Sequence, residues 1–281
     1  MIEISANTKL AGILGKPVSH SLSPRLHGYL AEQTETDMRY LAFCVDNPDK
    51  LKKVLEGACE MGILGFNITS PYKVDAYHLA DELDEEAKML GNVNTLVNRD
   101  GKWLGYNTDG EGFIRSLKRR GIHPKGKHIL LMGTGGTART MSYKFAQNGA
   151  ASITVLSRKE DPLAEIRPMT AAFPELKLYH GLDKSMTYDI MVNCTPLGME
   201  PYEDKNPAPA DFSYDGLSLC CDLIYNPAKT LFLAEAEKAG VPILNGLPML
   251  LYQGVLAFEH FTGKAVSEEL CDGLFRYFTC K

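Results

Sequence analysis

Two features of the sequence have the residue types and spacing to do chemistry. The first is Gly133-Thr-Gly-Gly-Thr-Ala-Arg139, which fits G-x-G-x-x-G/A at Gly133, Gly135 and Ala138. The first glycine permits a tight turn, and the second lets the backbone approach a pyrophosphate. The small third residue lets a helix pack close to its strand. The free N–H groups at the start of that helix then favour an anion. Gly133, Gly135, Gly136, Thr137 and Ala138 are therefore candidate dinucleotide-binding residues, against the plainer account of a glycine turn before an ordinary helix. An NAD-preferring site ends its second strand on an Asp or Glu that bonds the ribose 2′-OH. Here that place holds Ser157-Arg158-Lys159, whose cations would neutralise a 2′-phosphate and so select NADP over NAD; Glu160 is the opposing signal.

The second feature is a set of four polar runs: Ser19–Pro24, Asn67–Lys73, Asn92–Thr95 and Asn107–Asp109. Each falls at a strand end or a strand–helix junction, and in open α/β sheets the C-terminal strand ends line the ligand crevice. Any one run is explained by capping and turn chemistry. Together they supply hydroxyls, amides, the ammonium of Lys73 and the carboxylate of Asp109, a set suited to a small polyhydroxylated anion. An ammonium, with a reference pKa of about 10.4, can both stabilise a developing negative charge and deliver a proton.

The elements that must hold these groups alternate. Strands are expected at Ala11–Leu14, Tyr40–Val45, Ile63–Ile68, Val93–Val97, Trp103–Tyr106, His128–Met132, Ser152–Leu156, Ile190–Cys194, Leu219–Leu223 and Val241–Leu244. Helices are expected from Ser23-Pro24, after Asn47-Pro48, at Asp84–Leu90, Asp109–Arg119, Arg139–Gln147 and Thr230–Ala239, and in the closing pair Leu247–Thr262 and Ser267–Phe278. That alternation predicts an α/β fold with largely parallel sheets.

Composition narrows the function classes. A chain of 281 residues suggests two domains, and 44% hydrophobic with 23% charged residues disfavours disorder. A net charge of −5 argues against a broad nucleic-acid surface. No apolar run approaches the ~20 residues of a membrane helix. Residues 1–8 lack the basic and apolar regions of a secretory leader. Seven cysteines without a Cys-x-x-Cys predict reduced, mostly buried thiols in a cytoplasmic protein, and no His or Cys spacing suggests a metal site.

The motifs carry a resemblance to the shikimate dehydrogenase family. They are Ser21-Leu-Ser-Pro24, Gly65-Phe-Asn-Ile-Thr-Ser-Pro-Tyr-Lys73, Gly91-Asn-Val-Asn-Thr95, Gly105-Tyr-Asn-Thr-Asp109, the glycine loop, Asn193-Cys-Thr-Pro-Leu-Gly-Met199, Asp222-Leu-Ile-Tyr-Asn-Pro227 and Asn245–Gln253. They occur in the family's order over nearly the whole chain. The resemblance implies a substrate domain, 1–106 completed by 248–281, and a Rossmann-type NADP domain, 107–247. It implies reversible NADPH-dependent reduction of 3-dehydroshikimate to shikimate. Ser21 and Ser23 would hold the substrate carboxylate. Asn67, Thr69, Asn94 and Gln253 would meet its hydroxyls, with Tyr225 nearby. Lys73 and Asp109 would be the catalytic pair, and Thr195, Ile224, Gly246 and Met249 would lie near the nicotinamide. The protein would act on a small molecule as a monomer or homodimer, without nucleic acid or membrane.

The chain departs from the family at Ser157, where Asn is usual, and at Asn92 and Asn245, which remove no catalytic group. A quinate-directed or NAD-using relative is the alternative, and a non-catalytic metabolite sensor is a remote one.

Overall fold

The computed structural model describes residues 4–183 and 185–280. Met1–Glu3, part of the stretch read for a leader, lie outside them, as do Lys184 and Lys281. The chain contacts separate two units, residues 1–112 with 251–281, and residues 113–250.

The first unit begins with β1 (Lys9–Gly15), α1 (Ser23–Gln33), β2 (Met38–Cys44), α2 (Leu51–Glu60) and β3 (Gly65–Ile68). It continues with α3 (Lys73–Leu79), β4 (Glu82–Leu83), α4 (Glu85–Leu90), β5 (Thr95–Arg99) and β6 (Lys102–Tyr106). Its six strands lie in the order β2-β1-β3-β5-β6-β4. β2, β1 and β3 run parallel, but β5 is antiparallel to both β3 and β6. β4 is parallel to β6, so five of the six strands run one way and β5 alone is reversed, for a local reason. Asp100 and Gly101 take φ of 51° and 84°. Those are the two left-handed residues that a two-residue hairpin turn requires, so the chain doubles back there. The short α3 and β4 were not expected, since elements of seven and two residues show no measurable period. Leu14, Leu55, Phe66, Tyr72, Leu96 and Trp103 belong to one core cluster of this unit.

The second unit follows α5 (Asp109–Arg119) with β7 (His128–Met132), α6 (Gly136–Gln147), β8 (Ser152–Leu156), α7 (Arg167–Thr170), β9 (Lys177–His180) and β10 (Ile190–Asn193). β11 (Leu219–Asp222), α8 (Leu231–Lys238) and β12 (Ile243–Leu244) complete it. All six strands are parallel, in the order β12-β11-β10-β7-β8-β9. This is the doubly wound order of a Rossmann fold, with its reversal between β7 and β10. Both faces are covered. Ile129, Leu131, Ile153, Val155, Ile190 and Val192 pack with Phe113, Met141 and Phe145 on one side. Leu130, Met191 and Cys220 pack with Phe232 on the other. Two-sided burial is why these strands read as continuous apolar runs.

The last helices are α9 (Leu247–Thr262) and α10 (Glu268–Thr279). The division between units, at 112/113 and 250/251, falls inside α5 and α9, whereas boundaries at 106/107 and 247/248 would fall in the turns before them. Within the first unit, Phe258 and Phe261 of α9 close round His27 of α1, at ring-centroid distances of 6.2 and 5.7 Å.

Three of the seven cysteines are buried (Cys220, Cys221, Cys271), Cys59 and Cys194 are partly buried, and Cys44 and Cys280 are exposed; none is in a disulfide. The expectation of mostly buried thiols was therefore too strong, because strand and helix runs end in loops that expose their last residues. No helix among the described residues is long and apolar enough to cross a membrane.

Gly246 precedes α9, and its N–H donates to Ile224 O at 2.9 Å. A Cβ on Gly246 would collide with the Leu223 carbonyl oxygen. Gly246→Ala must push two main chains apart, and an overpacking cost of about 1–3 kcal/mol is expected. Urea denaturation of the purified variant, compared with wild type, measures it.

Candidate active site

In the first unit the chemistry collects where β3 ends, where β5 begins and where α5 and α9 pass. The cis Ser70-Pro71 bond lies in the loop that carries the chain from β3 into α3, whose first residue is Lys73. Asp109 opens α5, a helix start that suits a carboxylate. Lys73 Nζ donates to Asp109 Oδ2 at 2.6 Å, with the two side chains 35% and 20% exposed. Asn94 Nδ2 donates to Asp109 Oδ1 at 2.9 Å and lies 3.5 Å from Gln253 Oε1.

The amide orientations follow from one main-chain donor. Thr108 N–H donates to Asn94 Oδ1 at 2.8 Å, which fixes that oxygen as an acceptor. Thr95 Oγ1, 3.0 Å from the same oxygen, must donate to it. Thr95 Oγ1 then accepts from Asn67 Nδ2 at 3.1 Å, and Asn67 Oδ1 accepts from the Tyr40 hydroxyl at 2.7 Å. Every bond in this buried series donates towards Asp109. Burial pushes the Tyr40 phenol well above its usual value, with Ser23 and Asn67 acting against it. Ser21 Oγ accepts from Ser23 N–H at 3.2 Å, so the two serines share one turn before α1. Thr69 N–H donates to Leu14 O at 3.0 Å, which seats Thr69 at the end of β1.

His27 stacks on Tyr40 with centroids 4.0 Å apart and planes 6° apart. It is fully buried and neither ring nitrogen has a hydrogen-bond partner. Burial lowers its pKa to about 3, and the neighbouring Asn67 side chain opposes that shift without reversing it.

The second unit holds the cofactor candidates, and Tyr225 with them. Gly133 follows β7 with φ of 98°, and its N–H donates to Leu156 O at 2.8 Å. A Cβ there would lie 3.0 Å from Thr195 Cγ2, so the glycine loop and Thr195 touch. Gly135, Gly136 and Thr137 are exposed at the start of α6, while Ala138 is buried. A Cβ on Gly135 would meet nothing within 4 Å, so main chain there faces open space. That is the cradle a pyrophosphate needs. Ile224 is buried, Met249 is partly buried against the core, and Tyr225 is half-buried with its phenol raised by burial. Ser157 Oγ accepts from Lys159 N–H at 3.2 Å. Lys159 Nζ pairs with Glu165, a contact the sequence did not suggest, whereas Arg158 is exposed and has no ion pair among the described residues. Among the described residues no group of three or more His, Cys, Asp or Glu could hold a metal ion.

Tyr40, Thr95 and Thr108 are supporting residues that sequence reasoning passed over. Thr95 and Thr108 lay within the polar runs and could have been taken with them. Tyr40 sits in an apolar strand, where nothing marked it, and His27 stands four residues after Ser23 with packing as the one role the sequence suggests for it.

Comparison with known proteins bears on this arrangement. Residues 13–96 match the model of the shikimate dehydrogenase substrate binding domain. Residues 246–271 match that of the shikimate 5′-dehydrogenase C-terminal domain. The chain is 39% identical over 278 residues to shikimate dehydrogenase (NADP(+)) of Methanopyrus kandleri, covering 96% of this chain and 95% of that one. Its structure is similar to a crystal structure of a shikimate dehydrogenase in complex with NADP+, with a TM-score of 0.88, 35% identity and coverage of 99% and 98%. It is also similar to shikimate 5-dehydrogenase from Listeria monocytogenes in complex with shikimate and NAD, with a TM-score of 0.85, 32% identity and coverage of 98% and 99%.

Proposed function

This chain belongs to the shikimate dehydrogenase family, and on that premise we propose how its own residues perform the NADP-linked interconversion of 3-dehydroshikimate and shikimate. The first unit binds the substrate and the second the cofactor, a division close to 1–106 with 248–281 against 107–247. Lys73 and Asp109 are the catalytic pair, and the observation that carries this is their ion pair beside three amide side chains. Ser21 and Ser23 receive the substrate carboxylate. Asn67, Thr69, Asn94 and Gln253 receive its hydroxyls, and Tyr225 contributes a phenol.

In the reductive direction the Lys73 ammonium stabilises the developing alkoxide and gives it a proton from Nζ. Asp109 holds that ammonium in place through Oδ2 while Asn94 holds Asp109 through Oδ1. In the oxidative direction Nζ takes the hydroxyl proton back. NADPH, when bound, supplies the hydride. Gly133, Gly135, Gly136, Thr137 and Ala138 would hold its pyrophosphate, Ser157, Arg158 and Lys159 its 2′-phosphate, and Thr195, Ile224, Gly246 and Met249 its nicotinamide. The open main chain at Gly135 and the exposed Arg158 fit that group. The protein acts in the cytoplasm, as a monomer or homodimer.

One assay tests the reading: dinucleotide reduction followed at 2 × 2 combinations of shikimate or quinate with NADP or NAD. Shikimate with NADP is expected to give the highest kcat/KM. A preference for quinate, or for NAD, would replace it with the alternative assignment, and no turnover in any combination would leave a binding protein.

The ion pair at Lys159 sharpens the cofactor prediction. Arg158→Ala is expected to raise KM for NADP about tenfold, roughly the worth of one charge-assisted contact. Lys159→Ala should cost less, because Glu165 already holds that ammonium. KM for NAD should move in neither variant, and steady-state kinetics with both dinucleotides checks this.

A further inference from the structure

β10 and β11 end side by side on Asn193 and Asp222, which are register partners. Both side chains are buried, Asp222 with 1% exposure. Asn193 Nδ2 donates to Asp222 Oδ1 at 3.1 Å and to Leu197 O at 3.0 Å. Asn193 Oδ1 accepts from Thr195 N–H at 2.9 Å and from Thr195 Oγ1 at 2.7 Å. Asp222 Oδ1 also accepts from Ile224 N–H at 3.0 Å, and its Oδ2 accepts from Thr230 Oγ1 at 2.6 Å. One buried amide–carboxylate pair therefore clasps the two loops that present Thr195 and Ile224.

Every donor to the Asp222 carboxylate is neutral: an amide, a main-chain N–H and a hydroxyl. Among the described residues no Lys, Arg or His pairs with it. Burial pushes its pKa up and the three donors hold it back. Its charge reaches its neighbours, since after burial Asp222 is a further cause of the raised thiols of Cys194 and Cys221.

Clasping alone does not need a charge. An asparagine at 222 would offer the same Oδ1 to Asn193 and Ile224 and could donate to Thr230 Oγ1. Burying an unpaired carboxylate is costly, so its use here calls for something the charge itself does. The nicotinamide ring is cationic in NADP+ and neutral in NADPH. A fixed anion behind Thr195 and Ile224 lowers the free energy of the cationic form alone.

We propose that Asp222 is a positioning residue with an electrostatic role: it clasps the loops bearing Thr195 and Ile224, and its charge favours the oxidised over the reduced nicotinamide. The inference rests on the assignment of those two residues to the nicotinamide.

The test compares the dissociation constants of NADP+ and NADPH for the full chain and for Asp222→Asn, by calorimetry and by NADPH fluorescence. The ratio Kd(NADP+)/Kd(NADPH) is expected to rise about five- to tenfold in the variant, the size of a unit-charge interaction across several ångströms of protein. A purely structural role weakens both forms together, and an unchanged ratio overturns the proposal. Should Asp222→Asn not fold, carboxyl-carbon NMR of the wild type decides. An ionised Asp222 at neutral pH supports the proposal, and a protonated one overturns it. Wild-type chain that binds neither dinucleotide would instead remove the cofactor assignment, and the inference with it.

Discussion

Lys73→Ala is expected to lower kcat about a thousandfold while KM for NADP stays within about twofold, since a positioned proton donor is worth roughly 10²–10⁴ in rate. The variant loses two things at once: the proton that the alkoxide takes up and the positive charge that stabilises it. Asp109→Asn should show the same pattern more mildly, because the ammonium remains but is no longer held through Oδ2. The competing account makes Lys73 and Asp109 a structural ion pair. Magnitudes separate the two. A pair whose lysine is 35% exposed is worth about 0–1 kcal/mol of stability, so a structural role predicts a small fall in Tm and near-normal turnover. Initial rates and melting curves on the same preparations decide between them.

Acid lability is the second large effect, and it comes from His27. The folded state lowers its pKa to about 3, against about 6.5 in an unfolded chain. The unfolded chain therefore binds the extra proton first. The stability tied to a neutral His27 is complete above about pH 6.5 and drains away as the pH falls towards 3. Each pH unit in that window costs up to about 1.4 kcal/mol, so wild type should lose about 2–3 kcal/mol on this account between pH 7 and 4.5. His27→Phe keeps a ring against Tyr40 and removes the proton site, and neither ring nitrogen has a hydrogen bond to lose. Its denaturation midpoint should depend less on pH by that amount. The single tryptophan, Trp103, lies in the core of the same unit, so its fluorescence reports on the right part of the molecule. Parallel pH dependences for the two proteins would show that His27 is not the group responsible.

Much of the fold could be read from the sequence because its signals are local. The apolar runs of β7, β10 and β11 are uninterrupted since both faces of that sheet are covered. The Asp100-Gly101 dipeptide is a turn signal of the same local kind, since both of its residues take positive φ. The glycine loop was legible for the same reason, as its first glycine takes a φ that other residues avoid. The contacts that give the site its character are not local. Lys73 meets Asp109 across 36 residues and Asn193 meets Asp222 across 29, both fixed by which strand ends lie together. Motif order pointed to Lys73 and Asp109, yet nothing in it pointed to Asp222 as a buried unpaired acid. Glu165 was missed because its pairing with Lys159 depends on how a short turn after β8 folds back.

The ring of aromatic groups round His27 has a consequence for how the protein is made. His27 and Tyr40 are synthesised early, but the wall that keeps His27 dry comes from Phe258 and Phe261. All of the second unit, residues 113–250, is translated between them. During synthesis His27 therefore stays wet and titrates as an ordinary imidazole, while the parallel sheet of the second unit can already close. The first unit must wait for α9, so it cannot close round His27 until the whole of the second unit has been made.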